Sequence, residues 1–186
     1  MTAVGQAGIK TSNVAVGLPS NKTFSTIIDV PKVPEQELRA MMKYQIDQYI
    51  PMSLDEAEVD WVLLGESLHA QNQYEILLTS TAKSYAEERL ELVENLGFNV
   101  IAEEPNAIAI VRSLSATDSQ DARLIINMGE NSTDLAVVYN GAPRLIRMIP
   151  TGLSSLVRSA VQNLSVQEDQ ARQFILKFGL APDKLD

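Results

Sequence analysis

The stretch Ile126-Asn127-Met128-Gly129-Glu130-Asn131-Ser132-Thr133-Asp134-Leu135 reads as a strand, a glycine-bearing turn and a second strand. Such a turn can aim backbone N–H groups and the hydroxyls of Ser132 and Thr133 at a phosphate, with Gly129 permitting close approach. The same residues also suit a plain hairpin, because turn geometry alone favours Gly, Asn and Ser. Both readings stand at this point.

On the C-terminal side, alternation predicts strands over 133–139 and 144–149, after one over 123–128. Asn140-Gly141 between the last two is a two-residue hairpin signal. Helices are predicted over 153–163 and 167–178, the second closed by Gly179. On the N-terminal side, the polar residues 116–120 suggest a domain boundary. Before them come a short strand over 98–102 and a helix over 105–114, opened by Pro105.

The first half has its own pattern. Residues 13–18 read as a strand, and 23–30 as another, with Phe24, Thr26, Ile28 and Val30 on one face. Pro34 suits the first position of a helix whose dipole Glu35 and Glu37 complement. That helix aligns Leu38, Met41, Met42, Ile46 and Tyr49, and Pro51 ends it. Strands over 57–64 and 73–80 flank a polar loop, and a helix over 83–96 stops at Gly97. The expectation is an α+β module with one sheet face covered.

Composition removes whole classes of chemistry. The chain has 186 residues and no cysteine, which excludes thiol catalysis, disulfides and thiolate metal sites. Fifteen Lys and Arg against 24 Asp and Glu leave a net charge of −9. No basic cluster interrupts that balance, so nucleic acid and anionic membrane surfaces are not expected partners. The first residues lack a secretory signal pattern, and a cytoplasmic setting is expected. His69, the only histidine, falls in the polar loop and reads as solvated. Asp55, Glu56, Glu58 and Asp60 read as the wet face of a strand, Trp61 and the Met41–Met42 pair as core. No catalytic residue and no metal site emerge.

Three separated stretches together resemble PilM, the actin-like family of type IV pilus machines, related to FtsA and to the cytoplasmic part of GspL. They are Val14-Ala15-Val16-Gly17-Leu18-Pro19 with Ile28-Asp29-Val30-Pro31-Lys32-Val33-Pro34, then Gln48-Tyr49-Ile50-Pro51-Met52-Ser53-Leu54-Asp55-Glu56. The third is the turn from Asn127 to Thr133, followed by Arg147-Met148-Ile149-Pro150-Thr151-Gly152. The second stretch is the most specific, being similar to a family helix that ends Tyr-Ile-Pro before an acidic strand.

The resemblance implies an α/β, actin-like ATPase (ribonuclease H-like) fold fragment with a pilus-type, SHS2-like 1C subdomain. Residues 1–18 and 97–118 would form part of subdomain 1A, 19–96 subdomain 1C, and 119–186 the start of 2A. It also implies an unpaired 1A edge, and with it partner completion, a domain swap or a homo-oligomer. The implied role is a cytoplasmic adaptor of the inner-membrane platform, coupled to other platform or motor components. A groove between 1A and 1C would take the tail of a PilN-like membrane protein, with Tyr44, Gln45, Gln48, Tyr49, Ile50 and Pro51 as candidate contacts.

The nucleotide residues carried over are Asn127, Gly129, Asn131, Ser132, Thr133 and Gly152. Here the sequence departs from the family. Asn127 stands where an Asp helps hold magnesium, and Gly152-Leu153 replaces a glycine pair. Arg172 and Ile175 replace a Glu and a Lys directed at the nucleoside. ATP with Mg2+ is the cofactor the family implies, but hard dications need carboxylate charge that Asn127 lacks, so no cofactor and no hydrolysis are expected. The rival expectations are a fragment of a nucleotide-binding ATPase and an FtsA-like division or filament-forming protein.

Overall fold

The computed structural model describes residues 2–115 and 120–179. The boundary expected over 116–120 therefore lies, but for Gln120, outside the described residues. After a short helix α1 (Thr2–Gln6), strand β1 (Asn13–Leu18) pairs in parallel with β5 (Asn99–Pro105). A parallel pair needs a crossover, and here a whole module supplies it. That module contains β2 (Thr23–Pro31), α2 (Glu35–Gln45), β3 (Ala57–Glu66), β4 (Gln73–Ala82) and α3 (Lys83–Asn95). Helix α4 (Asn106–Leu114) follows β5 directly. Gly17 on β1 leaves room for the Asn106 side chain at this join, which a Cβ there would push aside.

Pro34 sits one residue earlier than expected, as the N-cap of α2 with φ −54° and ψ 147°. The expected long helix is also shorter. It is α-helical to Gln45 and tightens to a 3-10 turn over Ile46–Gln48. This tightening keeps Ile46 and Ile50 in the core while the chain prepares for Pro51, which bars Ile50 from the helical region.

The module's sheet has the order β2-β4-β3, all antiparallel. Ile76 and Leu78 of β4 face Leu38 and Met42 of α2, with Val30, Ile46 and Ile50 completing one core. Trp61 packs against that core and carries Arg39 over its ring at 5.7 Å. The other face is not bare. Leu77, flanked by Ile27 and Leu64, packs on Ala107 and Val111 of α4 and reaches Ala136, Val138 and Ile146 of the last sheet. The expectation of one covered face is thereby corrected. Residues 75–78 are buried in succession because the central strand is covered on both sides.

That last sheet is the antiparallel set β6 (Arg123–Met128), β7 (Thr133–Tyr139) and β8 (Ala142–Ile149), in the order β6-β7-β8. Asn140 and Gly141 both take positive φ, 53° and 68°, as the predicted tight hairpin requires. Opposite the shared core, this sheet leaves Leu124, Ile126, Met128, Leu145 and Ile149 exposed. Helices α5 (Leu153–Leu164) and α6 (Glu168–Phe178) follow, the second opened by a Gln167–Gln170 capping box. Among the described residues no helix is long and apolar enough to cross a membrane.

Candidate functional site

The turn between β6 and β7 docks onto the start of α5. The Gly129 N–H donates to the Ser132 carbonyl at 2.8 Å, closing the turn. The N–H groups of Leu153 and Ser154 donate to the carbonyls of Gly129 (3.0 Å) and Glu130 (2.9 Å). Helix N-termini attract anions through such free donors, and here the turn's own carbonyls use them. Gly152 makes the approach feasible, since a Cβ there would lie 2.6 Å from both carbonyl oxygens.

The side chains of the turn are committed as well. The buried Thr133 hydroxyl donates to the Thr151 carbonyl at 2.7 Å. The Glu130 carboxylate accepts from the Ser154 hydroxyl at 2.6 Å and forms an ion pair with Arg172 of α6. Asn131 Oδ1 accepts from the same hydroxyl at 3.2 Å. Asn127 is exposed, and opposite it Asp134 keeps one buried carboxylate oxygen without a hydrogen bond. Among the described residues, no three His, Cys, Asp or Glu side chains group to hold a metal. The structure thus gathers Gly129, Asn131, Ser132, Thr133 and Gly152 at one place, with Arg172 joining them.

The other candidate set lies elsewhere. Tyr44 is 80% exposed at the end of α2, and Gln45, Gln48 and Pro51 are exposed beside it. Tyr49 and Ile50 pack into the α2 core. This set sits on the α2 side of the β2-β4-β3 sheet.

The groove between the β1–β5 pair and the inserted module, about 710 Å³ in volume, opens against the other side of that sheet. None of the six residues lines it. Its floor is Glu58, Asp60 and Val62 of β3 beside Leu77, Thr79 and Thr81 of β4, which the register puts on one face. Residues 100–105 of β5 form a wall, with Ala86 and Leu90 of α3 and Ile108 of α4. Both bordering strands have an unpaired edge among the described residues, β3 at the end of its sheet and β5 beyond β1.

Glu103 projects from the β5 wall. One of its carboxylate oxygens is buried without a hydrogen bond. Burial pushes this carboxyl above the usual carboxylate range; Arg89 pulls it partly back and the Glu58 charge pushes it further up. Sequence reading missed Glu103 altogether and assigned Glu58 and Asp60 to open solvent. Their period-two alternation with Val59 and Trp61 was the available signal, and it identifies a polar face without saying what faces it.

The sequence matches the family described as type IV pilus assembly protein PilM over residues 2–182. The chain belongs to the PilM family. A solved PilM–PilN type IV pilus biogenesis complex is similar in fold, with TM-score 0.75 at 16% identity, over 95% of this chain and 54% of that one. The cytoplasmic domain of EpsL, an inner-membrane component of the type II secretion system of Vibrio cholerae, matches with TM-score 0.55 at 13% identity. That match covers 89% of this chain and 61% of the EpsL domain. The architecture is the actin-like α/β fold that the sequence led us to expect. This PilM-family chain spans little more than half the length of those solved relatives.

Proposed function

We propose that this PilM-family chain is a non-enzymatic adaptor of the pilus inner-membrane platform, receiving the tail of a PilN-like membrane protein on its cytoplasmic side. One observation carries the reading: the groove is bordered by two strands, β3 and β5, that each have an edge unpaired among the described residues. Unpaired strand edges accept an extended peptide, with main-chain hydrogen bonds giving affinity and side-chain pockets giving selectivity. The apolar part of the lining, Val62, Leu77, Leu90, Val100 and Ile108, offers such pockets.

The residues of the β6–β7 turn do not fit a magnesium-bound triphosphate. The α5 donors, the Thr133 hydroxyl and Arg172 are engaged within the protein, and Asn127 supplies no charge for a hard cation. Phosphoryl transfer rests on positioned charge, so ATP hydrolysis is not part of the proposed role.

The test is calorimetric titration with a synthetic peptide of the cytoplasmic N-terminal segment of the PilN-type protein from the same genome. Saturable binding is expected, and Ala102→Trp, which fills the groove from its exposed wall, should abolish it without lowering Tm. Absence of binding to the unmodified chain, or ATP turnover by it, would overturn the proposal.

A further inference from the structure

Resting on the groove reading above, we propose that the groove selects its peptide through a basic side chain, a Lys or Arg seated between Glu58 of β3 and Glu103 of β5. The lining holds four carboxylates, Glu58, Asp60, Glu103 and Glu104, and no Lys, Arg or His. Two of the four are already engaged. Glu104 pairs with Arg112, and Asp60 accepts the Trp61 N–H at 2.8 Å. The other two, Glu58 on the floor and Glu103 on the β5 wall, form no ion pair among the described residues, and Glu103 has a buried oxygen that no donor reaches.

The electrostatics point the same way. The Glu103 carboxyl is disfavoured in its charged form chiefly by burial; Arg89 of α3 offsets part of this from a distance without a hydrogen bond to it, and the neighbouring Glu58 charge adds to the penalty. A cation placed between the two would offset both, since a buried charge becomes tolerable when paired and hydrogen-bonded.

The occupant follows from chemistry. An extended peptide presents every second side chain to one side, so a single residue can meet the carboxylates while its neighbours fill the apolar pockets. Cytoplasmic segments close to a membrane span carry an excess of Lys and Arg. A chain of net charge −9 also draws such a segment in by long-range attraction.

The experiment uses the peptide of the previous section and a second version in which each Arg is citrulline and each Lys norleucine. Calorimetry should show the neutral version binding roughly tenfold more weakly at low salt, with the gap narrowing as salt screens the charges. Glu58→Gln and Glu103→Gln should each weaken the native peptide and leave the neutral one unchanged. Equal affinities for the two peptides would overturn the charge proposal while leaving the groove reading intact, provided Ala102→Trp still blocks both. A bound segment without any Lys or Arg would also overturn it. Failure of both peptides to bind removes this proposal together with the adaptor reading.

Discussion

The carboxylate of Glu75, on β4, is held by the guanidinium of Arg144, on β8, across the junction of the inserted module and the last sheet. Glu75 is 2% exposed and the Arg144 side chain 12%. The Leu68 N–H donates to the second Glu75 oxygen at 3.1 Å, and Arg144 Nε donates to the Tyr139 carbonyl at 3.3 Å. His69 lies at the exposed rim, its Nε2 3.9 Å from Glu75. Removing one member of such a pair strands the other charge, whereas replacing both by apolar side chains is often tolerated. Arg144→Ala is therefore expected to destabilise by about 3 kcal/mol. Glu75→Leu combined with Arg144→Met should recover most of that loss. Urea unfolding of the single and double variants checks it, and a double variant as weak as the single would contradict the account.

Leu77 makes the complementary apolar join. It is buried against Ala107, Val111, Ala136 and Val138 on the face opposite α2. Leu77→Ala should cost about 2–4 kcal/mol, the usual range for a buried leucine that leaves a cavity. The same truncation at Leu78 opens the α2 core instead. Hydrogen exchange separates the two: the Leu77 variant should lose protection in β7 as well as β4, the Leu78 variant in β4 and α2.

The Glu103 carboxyl gives a pH signature. Its pKa in the folded chain is raised above the ordinary 4.5, chiefly by burial. Between those two values the folded state binds more protons than the unfolded one, so stability falls as pH rises. The favourable contribution is complete below pH 4.5 and is lost as pH passes through the folded value. Glu103→Gln removes the penalty of the charged form. Its Tm should exceed that of the unmodified chain at pH 7, and the difference should vanish near pH 4. A Tm gain that is the same at both pH values would rule this cause out.

Local rules carried much of the fold. Period-two alternation placed β6 and β7 as they are found, and Asn140-Gly141 supplied both positive-φ residues of the next turn. Gly97 and Gly179, with φ 87° and 63°, end their helices for the same steric reason. What escaped depends on residues distant in the chain. Glu75, Leu77 and Thr79 interleave polar and apolar groups, so nothing local shows that their face is covered by α4 and β8. Glu58 and Asp60 look alike whether they meet open water or a groove wall far along the chain, where Glu103 stands. The helical stripe of α2 located a core but could not say on which sheet face the groove opens. Likewise Glu130 and Arg172 are 42 residues apart, and no pattern announces their pairing.

Gly152 tests whether the β6–β7 turn is a closed structural joint or an open cradle. A methyl at this position would lie 2.6 Å from the carbonyl oxygens of both Gly129 and Glu130, closer than real Cβ contacts, so the turn must move. Moving it releases the N–H groups of Leu153 and Ser154 from those carbonyls and loosens the Thr133–Thr151 bond. Gly152→Ala is expected to lower stability by about 1–3 kcal/mol through overpacking and lost hydrogen bonds. Thr133→Val, which removes one bond without the clash, should cost about 1 kcal/mol. Thermal unfolding of both variants, paired with Mg–ATP titration, distinguishes the alternatives. A joint made of internal bonds loses stability in that order and shows no nucleotide heat in any variant. A cradle would instead keep its stability and lose a nucleotide affinity that the unmodified chain must first display.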